Sequence, residues 1–305
     1  MAPSTDIAAF RSALQRSKRI ILVAGAGLSS ASGILTFRGA GGYWRSFEAT
    51  RLATPEAFRA NPSLVWQFYH YRREKVFACK PNNAHHVIAR FLRHEYRRPI
   101  APLADRCTLI TQNVDGLSIR AREELAVVNP PDDNSTSNQE LGSIIEMHGR
   151  LVDTICTRCK DRRSDTRSPI CPALDGTEAR TDAIMDEGGK RVPEATIPTE
   201  DLPHCEKEGC GGLLRPGVVW FGEAIPDLDT IDKEVEAADM CLVVGTSSVV
   251  YPAAGFAGIV QENGGMVAVF NIDSSQGDSD ADFLFIGPCE ETLGDALGIS
   301  LEGSL

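Results

Sequence analysis

The sequence predicts an α/β fold: a Rossmann-like parallel sheet domain accompanied by a smaller domain, part helical and part stapled by a metal. Three observations carry this. Six short apolar runs, at residues 20–24, 107–111, 144–147, 240–245, 266–271 and 283–286, are nearly continuous and mostly end in a Gly, Asn or Asp turn, as strands buried on both faces do. The first run is followed by Gly25-Ala26-Gly27, a glycine-rich turn of the kind that lets a backbone approach a diphosphate. Two close pairs of cysteines flank one polar insertion.

The elements follow in order. Ile7, Phe10 and Leu14 have helical spacing and make a first helix ahead of the first strand. Residues 1–39, 107–150 and 215–305 are assigned to the sheet domain. Residues 40–106, rich in aromatics and Arg, form a helical module, in which Asn61-Pro62 supplies a cap and a first-turn proline for a helix over 63–76. Residues 129–140 are polar and without periodicity, and are expected as a surface loop. Residues 151–214 form a zinc-binding module, after which a sheet-like pattern resumes at 216–222.

Composition narrows the classes. The 305 residues, 42% hydrophobic and 24% charged, suffice for a sizeable core. A formal charge of −11 argues against a nucleic-acid binder, whose affinity comes from a basic surface. No apolar run approaches the ~20 residues that cross a bilayer, so no membrane partner is expected. Arg11, Arg16, Lys18 and Arg19 have the look of a transit peptide, but Asp6 and the lack of spare length favour a structural first helix. Cytoplasm or nucleus is therefore expected ahead of the mitochondrion. Nine cysteines are too few for a disulfide scaffold of this length and fit a reducing compartment.

Cys156-x-x-Cys159 and Cys205-x4-Cys210 each bring two thiolates within reach of one ion, and Gly211-Gly212 permits the tight turn beside the second pair. A closed four-thiolate site is a structural zinc site, because catalysis would need an open position. Cys171 and His204 compete as ligands. Cys171 sits between stiffening prolines in Ser168-Pro169-Ile170-Cys171-Pro172, and His204 adjoins Cys205, where two neighbours rarely both reach one ion.

In the glycine turn the third glycine of a dinucleotide fingerprint is replaced by Ser30. The long loop that follows carries Phe37 and Arg38, which a hydride-transfer enzyme would not need over the diphosphate and the nicotinamide ribose. Thr111-Gln112-Asn113-Val114-Asp115-Gly116 offers an amide and a carboxylate, and Glu146-Met147-His148-Gly149 a histidine able to move protons. Gly245-Thr246-Ser247 and Asn271-x-Asp273 follow later strands, where hydroxyls, an amide and a carboxylate can hold phosphate and an adenosine ribose. The pattern predicts a site that consumes NAD with a candidate general base.

The stretches GAGLSSASGILTFRG, TQNVDG, EMHG, GVVWFGE and VVGTSSVVYPAA, with the paired cysteines, resemble the sirtuins, NAD-dependent protein-lysine deacylases, in the family's order and over nearly the whole chain. Tyr69-His70-Tyr71-Arg72 is similar to the YxxR signature of the class III branch, the desuccinylases, demalonylases and deglutarylases. Residues three apart on a helix face the same way, so Tyr69 and Arg72 can share an acyl carboxylate, the guanidinium in bidentate fashion. Arg73, four residues from Tyr69, is the geometric competitor; the resemblance selects Arg72. Ala53 matches a small residue that leaves room for the longer acyl group.

Roles follow from the resemblance. Asn113 positions ribose and water, Asp115 holds the nicotinamide carboxamide, Phe37 shields the reacting face and Arg38 contacts phosphate. Gly25, Ala26, Gly27, Ser29, Gln112, Gly245, Thr246, Ser247, Asn271, Asp273 and Cys289 complete the cofactor set. His148 accepts a ribose hydroxyl proton, leading to lysine, nicotinamide and O-acyl-ADP-ribose. Val219, Trp220, Phe221 and Glu223 lend their backbone to an acyl-lysine peptide as an added strand, with Trp220 walling the acyl-lysine tunnel. The sequence departs from the family at 117–122, where Leu-Ser-Ile-Arg-Ala-Arg replaces the usual Leu-His-x-x-Ala-Gly. Two other readings are a broad-specificity deacetylase or ADP-ribosyltransferase, and a non-catalytic NAD-sensing scaffold. A scaffold has no need of the intact Asn113, Asp115 and His148.

Overall fold

The computed structural model describes residues 2–35, 42–130, 142–179, 194, 196–275 and 277–301; Phe37 and Arg38 lie outside them, as does most of the expected loop at 129–140. The chain divides into two compact units, one of Met1–Gly33, Pro81–Met147 and Pro226–Leu305, the other of Ile34–Lys80 and His148–Ile225. Among the described residues no helix is long and apolar enough to cross a membrane.

The first unit is built on six parallel strands: β1 Arg19–Ala24, β2 Arg106–Thr111, β3 Ser143–Glu146, β4 Met240–Val244, β5 Met266–Asn271 and β6 Phe283–Ile286. They are ordered β6-β5-β4-β1-β2-β3. The chain thus builds outward from β1 in one direction, then returns to its other side and builds outward again. This is the doubly wound order, and its reversal between β1 and β4 is where such sheets bind ligands. All six strands coincide with the apolar runs, because strands covered on both faces must be apolar at nearly every position. Leu22, Leu109, Leu242 and Phe270 are buried there against Phe10, Leu14, Phe91 and Leu293 from the covering helices.

The first helix, Ile7–Leu14, is capped by Asp6, whose carboxylate accepts the N–H groups of Ala8 and Ala9. Its buried face presents Phe10 edge-on to Phe270, Phe283 and Phe285. Helix Asn83–Leu92 buries Ala84, Val87, Ile88, Phe91 and Leu92 in the same core. The helical module expected over 40–106 is therefore divided, since Pro81 onward packs with the sheet. The apolar face of this helix made the difference, and the aromatic and Arg content of the segment masked it.

In the second unit, helix Pro62–Ala78 starts at Asn61, whose side chain accepts the Leu64 N–H at 2.9 Å, with Pro62 in the first turn. A three-stranded antiparallel sheet places Gly149–Cys156 between Arg162–Ser164 and Leu214–Val218. Residues 148–150 and 215–225, expected with the large sheet, belong to this unit, where the strand Gly149–Cys156 pairs with Leu214–Val218. The helix is tied to it twice. Trp66 donates its indole N–H to Leu214 O at 2.9 Å, and the buried Arg73 donates to Leu151 O (2.7 Å), Asp165 O (2.6 Å) and Arg167 O (3.0 Å). The helical piece and the cysteine-bearing module are one packed body.

Candidate active site

At the reversal point of the first unit, the turns after β1 and β4 touch backbone to backbone. Gly25 N–H donates to Val244 O at 3.0 Å and Gly27 N–H to Gly245 O at 2.7 Å. A Cβ on Gly27 would stand 2.7 Å from Gly245 O, and one on Gly245, at φ +59°, would stand 2.3 Å from Leu28 N. Only glycine fits, and the short helix Ala26–Ser30 starts directly from this contact. Ser30, in the third fingerprint position, is exposed.

Beneath the turn lies a closed hydrogen-bond chain. Ser29, 1% exposed, donates its hydroxyl to Asp115 Oδ2 at 2.7 Å and faces Asn113 Nδ2 at 3.1 Å and His85 Nε2 at 3.4 Å. One donor and two acceptors are all a hydroxyl has, so Ser29 is fully used. Asn113 Nδ2 also donates to Gly25 O at 2.9 Å, and Asp115 Oδ1 accepts the Leu117 N–H at 2.8 Å. The Asn82 N–H donates to His85 Nδ1 at 3.3 Å, which leaves the proton on Nε2, toward Ser29. Burial, and then the neighbouring His86, push the His85 imidazole down to about 3, so it is neutral. Sequence reasoning missed His85 and Asn82. The signal was there, since Asn82 three residues ahead of His85 at a helix start is a reciprocal cap.

The remaining cofactor candidates of this unit gather at the same strand ends. Gln112 Nε2 donates to Thr246 Oγ1 at 3.2 Å, and Asn271 Nδ2 to Thr246 O at 3.2 Å and Ser275 Oγ at 3.0 Å. Ala26 is half-buried, and Ser247 and Asp273 are exposed. Cys289 is buried with its Sγ 3.8 Å from Gly27 O, and burial pushes its thiol up to about 12, so it packs as a neutral group against the glycine turn.

In the second unit, His148 is half-buried in the turn leading into the strand Gly149–Cys156, and its carbonyl accepts the Val219 N–H at 2.8 Å. Gly149 has φ +73°, with a Cβ position 2.3 Å from Gly217 O, so the residue after the histidine must be glycine. Tyr69 is 1% exposed and accepts the Trp220 indole N–H at 2.9 Å. Burial pushes its phenol above the ordinary range, against the pull of Arg72, and it stays protonated. Arg72 lies half-buried near the Phe68 ring, while Arg73 is committed to three backbone carbonyls. Ala53 is buried and its carbonyl accepts the Phe221 N–H at 3.0 Å. Glu223 binds Arg215 through both carboxylate oxygens and accepts the Trp220 N–H at 2.8 Å. Burial pushes its carboxyl up, but these bonds outweigh that and hold it below the usual range.

The sulfurs of Cys156, Cys159, Cys205 and Cys210 all lie within 4.8 Å of one another, with Cys156 to Cys210 at 3.6 Å and Cys159 to Cys205 at 3.8 Å. Four sulfurs set tetrahedrally about 2.3 Å from zinc stand about 3.8 Å apart, whereas a disulfide needs about 2.05 Å. The donor set fits zinc and not a pair of disulfides. Of the two competing ligands, His204 turns Nδ1 to Leu202 O at 2.7 Å, and Cys171 stands at the N-cap position of the short 3-10 helix Pro172–Leu174, outside the four-sulfur cluster.

A doubly wound sheet with a glycine turn at its switch point, a buried Ser-Asn-Asp chain below it and a four-cysteine cluster defines a dinucleotide-using α/β protein with a structural metal. The Sir2 family matches residues 25–130 and 133–252, and the chain belongs to that family. It is 46% identical over 297 residues to NAD-dependent protein deacylase sirtuin-5, mitochondrial, of Canis lupus familiaris, covering 97% of this chain and 86% of that protein. It is 44% identical, with the same coverage, to NAD-dependent protein deacylase sirtuin-5A, mitochondrial, of Xenopus laevis. A solved Sir2 homologue in complex with NAD superposes with a TM-score of 0.72 at 34% identity, covering 97% of this chain and 94% of that one. These relatives overturn the cytoplasmic or nuclear expectation, since both curated proteins are mitochondrial. That expectation leaned on the first helix being structural, and a structural helix carries no information about address.

Proposed function

We propose that the chain is an NAD-dependent protein-lysine deacylase that removes acyl groups ending in a carboxylate, succinyl, malonyl or glutaryl, from acyl-lysine proteins or peptides. The products are nicotinamide, O-acyl-ADP-ribose and free lysine. One observation carries the acidic-acyl reading: the protonated Tyr69 and the half-buried Arg72 stand three residues apart on one helix, while the competing Arg73 is committed to three backbone carbonyls.

The hydrogen bonds assign work to each group. Both Asn113 amide protons are engaged, by Gly25 O and Ser29 Oγ, so Oδ1 is the atom presented to a ribose hydroxyl or water. Asp115, which accepts the Ser29 hydroxyl and the Leu117 N–H, is a carboxylate acceptor of the kind that suits the N–H of a carboxamide. His148 accepts the ribose hydroxyl proton, which makes that oxygen the nucleophile toward the activated acyl carbon. Val219, Trp220, Phe221 and Glu223 have their N–H groups taken within the unit, so a visiting peptide strand pairs with the carbonyls of Val219 and Phe221. Zinc, held by Cys156, Cys159, Cys205 and Cys210, would stabilise the module and take no part in the chemistry.

The test is nicotinamide release with succinyl-, malonyl-, glutaryl- and acetyl-lysine versions of one peptide. The acidic acyl groups should exceed acetyl by about tenfold or more, the worth of one charge-assisted hydrogen bond. Equal rates would make the protein a broad deacylase, and no release with any peptide would make it a scaffold.

A further inference from the structure

The second unit holds a charged group that the proposed chemistry does not use. Arg215 lies over the Trp220 ring, its Cζ 3.5 Å from the ring centroid. The guanidinium is fixed by both oxygens of Glu223, by Val218 O at 2.7 Å and by Pro216 O at 3.2 Å. Glu223 in turn accepts the Trp220 N–H, so the pair grips that residue at its backbone and at its ring. A planar guanidinium can stack and bind a carboxylate at once, which an ammonium cannot.

The far edge of the same indole reaches Tyr69. An indole N–H can only donate, so at 2.9 Å it occupies an acceptor lone pair of the Tyr69 oxygen. Among the described residues no acceptor takes the hydroxyl's own proton. Phe58 also packs on the indole, at 5.4 Å between centroids.

We propose that Arg215 is a selectivity-positioning residue: anchored by Glu223 and stacked on Trp220, it holds the indole N–H on Tyr69 and so directs the tyrosine proton at the anionic end of the acyl group. The inference rests on the acidic-acyl reading above and deepens it. It differs from a plain structural staple, which would support every substrate alike.

The experiment uses the full-length, zinc-loaded protein at saturating NAD, with succinyl- and acetyl-lysine versions of one peptide. Wild type, Arg215→Lys, Tyr69→Phe and their double variant are compared. Arg215→Lys should lower the succinyl-to-acetyl ratio of kcat/KM about three- to tenfold, the size of one oriented hydrogen bond, mainly through the KM of the succinyl peptide. In the Tyr69→Phe background the same change should lower the ratio no further, since the group it positions is gone. An equal fall for both substrates, or an additional fall in the Tyr69→Phe background, overturns the proposal. Arg72→Met separates the two readings. If wild type prefers succinyl-lysine and Arg72→Met removes the preference while Arg215→Lys keeps it, the acidic-acyl reading stands and this inference fails. Wild type without any preference overturns both. Should Arg215→Lys not fold, Glu223→Gln is subjected to the same comparison, because it loosens the guanidinium and leaves the stacked ring in place; an unchanged ratio there is a refutation.

Discussion

Replacing Arg72 and Arg73 by Met, one at a time, separates acyl recognition from architecture within two adjacent residues. Arg72 is half-buried, so its bonds to an acyl carboxylate belong at the low end of the ~1.5–3 kcal/mol typical of charged partners. One or two such bonds correspond to about 10–100-fold in desuccinylation. Acetyl-lysine has no carboxylate and gains nothing from them, so its turnover should hold level or rise as a poorly solvated cation is removed. Arg73 is different. It is 2% exposed, and Met in its place orphans carbonyls at Leu151, Asp165 and Arg167. At about 1 kcal/mol for each, the loss is roughly 3 kcal/mol of stability, or about 5 °C or more in the thermal midpoint. Steady-state assays with both acyl peptides and a thermal melt on each variant are sufficient. The reasoning is refuted if Arg72→Met lowers both activities in parallel, or if Arg73→Met selectively removes desuccinylation with an unchanged melt.

Three further outcomes are expected. His148→Ala and Asn113→Ala should each abolish nicotinamide release while the far- and near-ultraviolet circular dichroism stays that of the wild type, and normal turnover by purified His148→Ala would remove the mechanism. Zinc should be found at one ion per chain by elemental analysis, and chelation or Cys156→Ser should unfold the 148–225 part of the second unit, seen as new protease cleavage there, because a structural zinc supplies folding free energy directly. His85 is neutral when folded and its conjugate acid forms only near about 3, whereas an unfolded histidine protonates near 6.5. The unfolded state therefore binds more protons between these values. Stability is full above about pH 6.5 and declines as pH falls toward 3, by up to ~1.4 kcal/mol per unit, and His85→Gln should flatten that acid limb in pH-dependent denaturant titrations.

The large sheet was legible because its strands are apolar on both faces, as Ile20, Leu22, Leu109 and Leu242 show, and a run of that kind needs no partner to be recognised. The cysteine cluster was legible because two short spacings restrict where four sulfurs can go. The allocation of 81–106 was not, since Val87, Ile88 and Phe91 make an amphipathic face whose target is a sheet far away in sequence. His85 escaped notice for a related reason. A buried neutral histidine announces itself only through Ser29, 56 residues away. The structural commitment of Arg73 likewise depends on carbonyls 78 to 94 residues distant, which no helical spacing could reveal.

Arg73 also sets the terms on which the proposed recognition device could be moved to another protein. The helix Pro62–Ala78 is secured from one side by a guanidinium whose three acceptors are supplied by residues 151–167, and from the same module by Leu214 O. Grafting the Tyr-x-x-Arg helix alone onto a related scaffold would import a buried cation without its acceptors, an arrangement that destabilises the recipient. The transferable piece is the pair of segments 34–80 and 148–225 together, metal ligands included, and chimeras cut between them should lose solubility before they lose or gain an acyl preference.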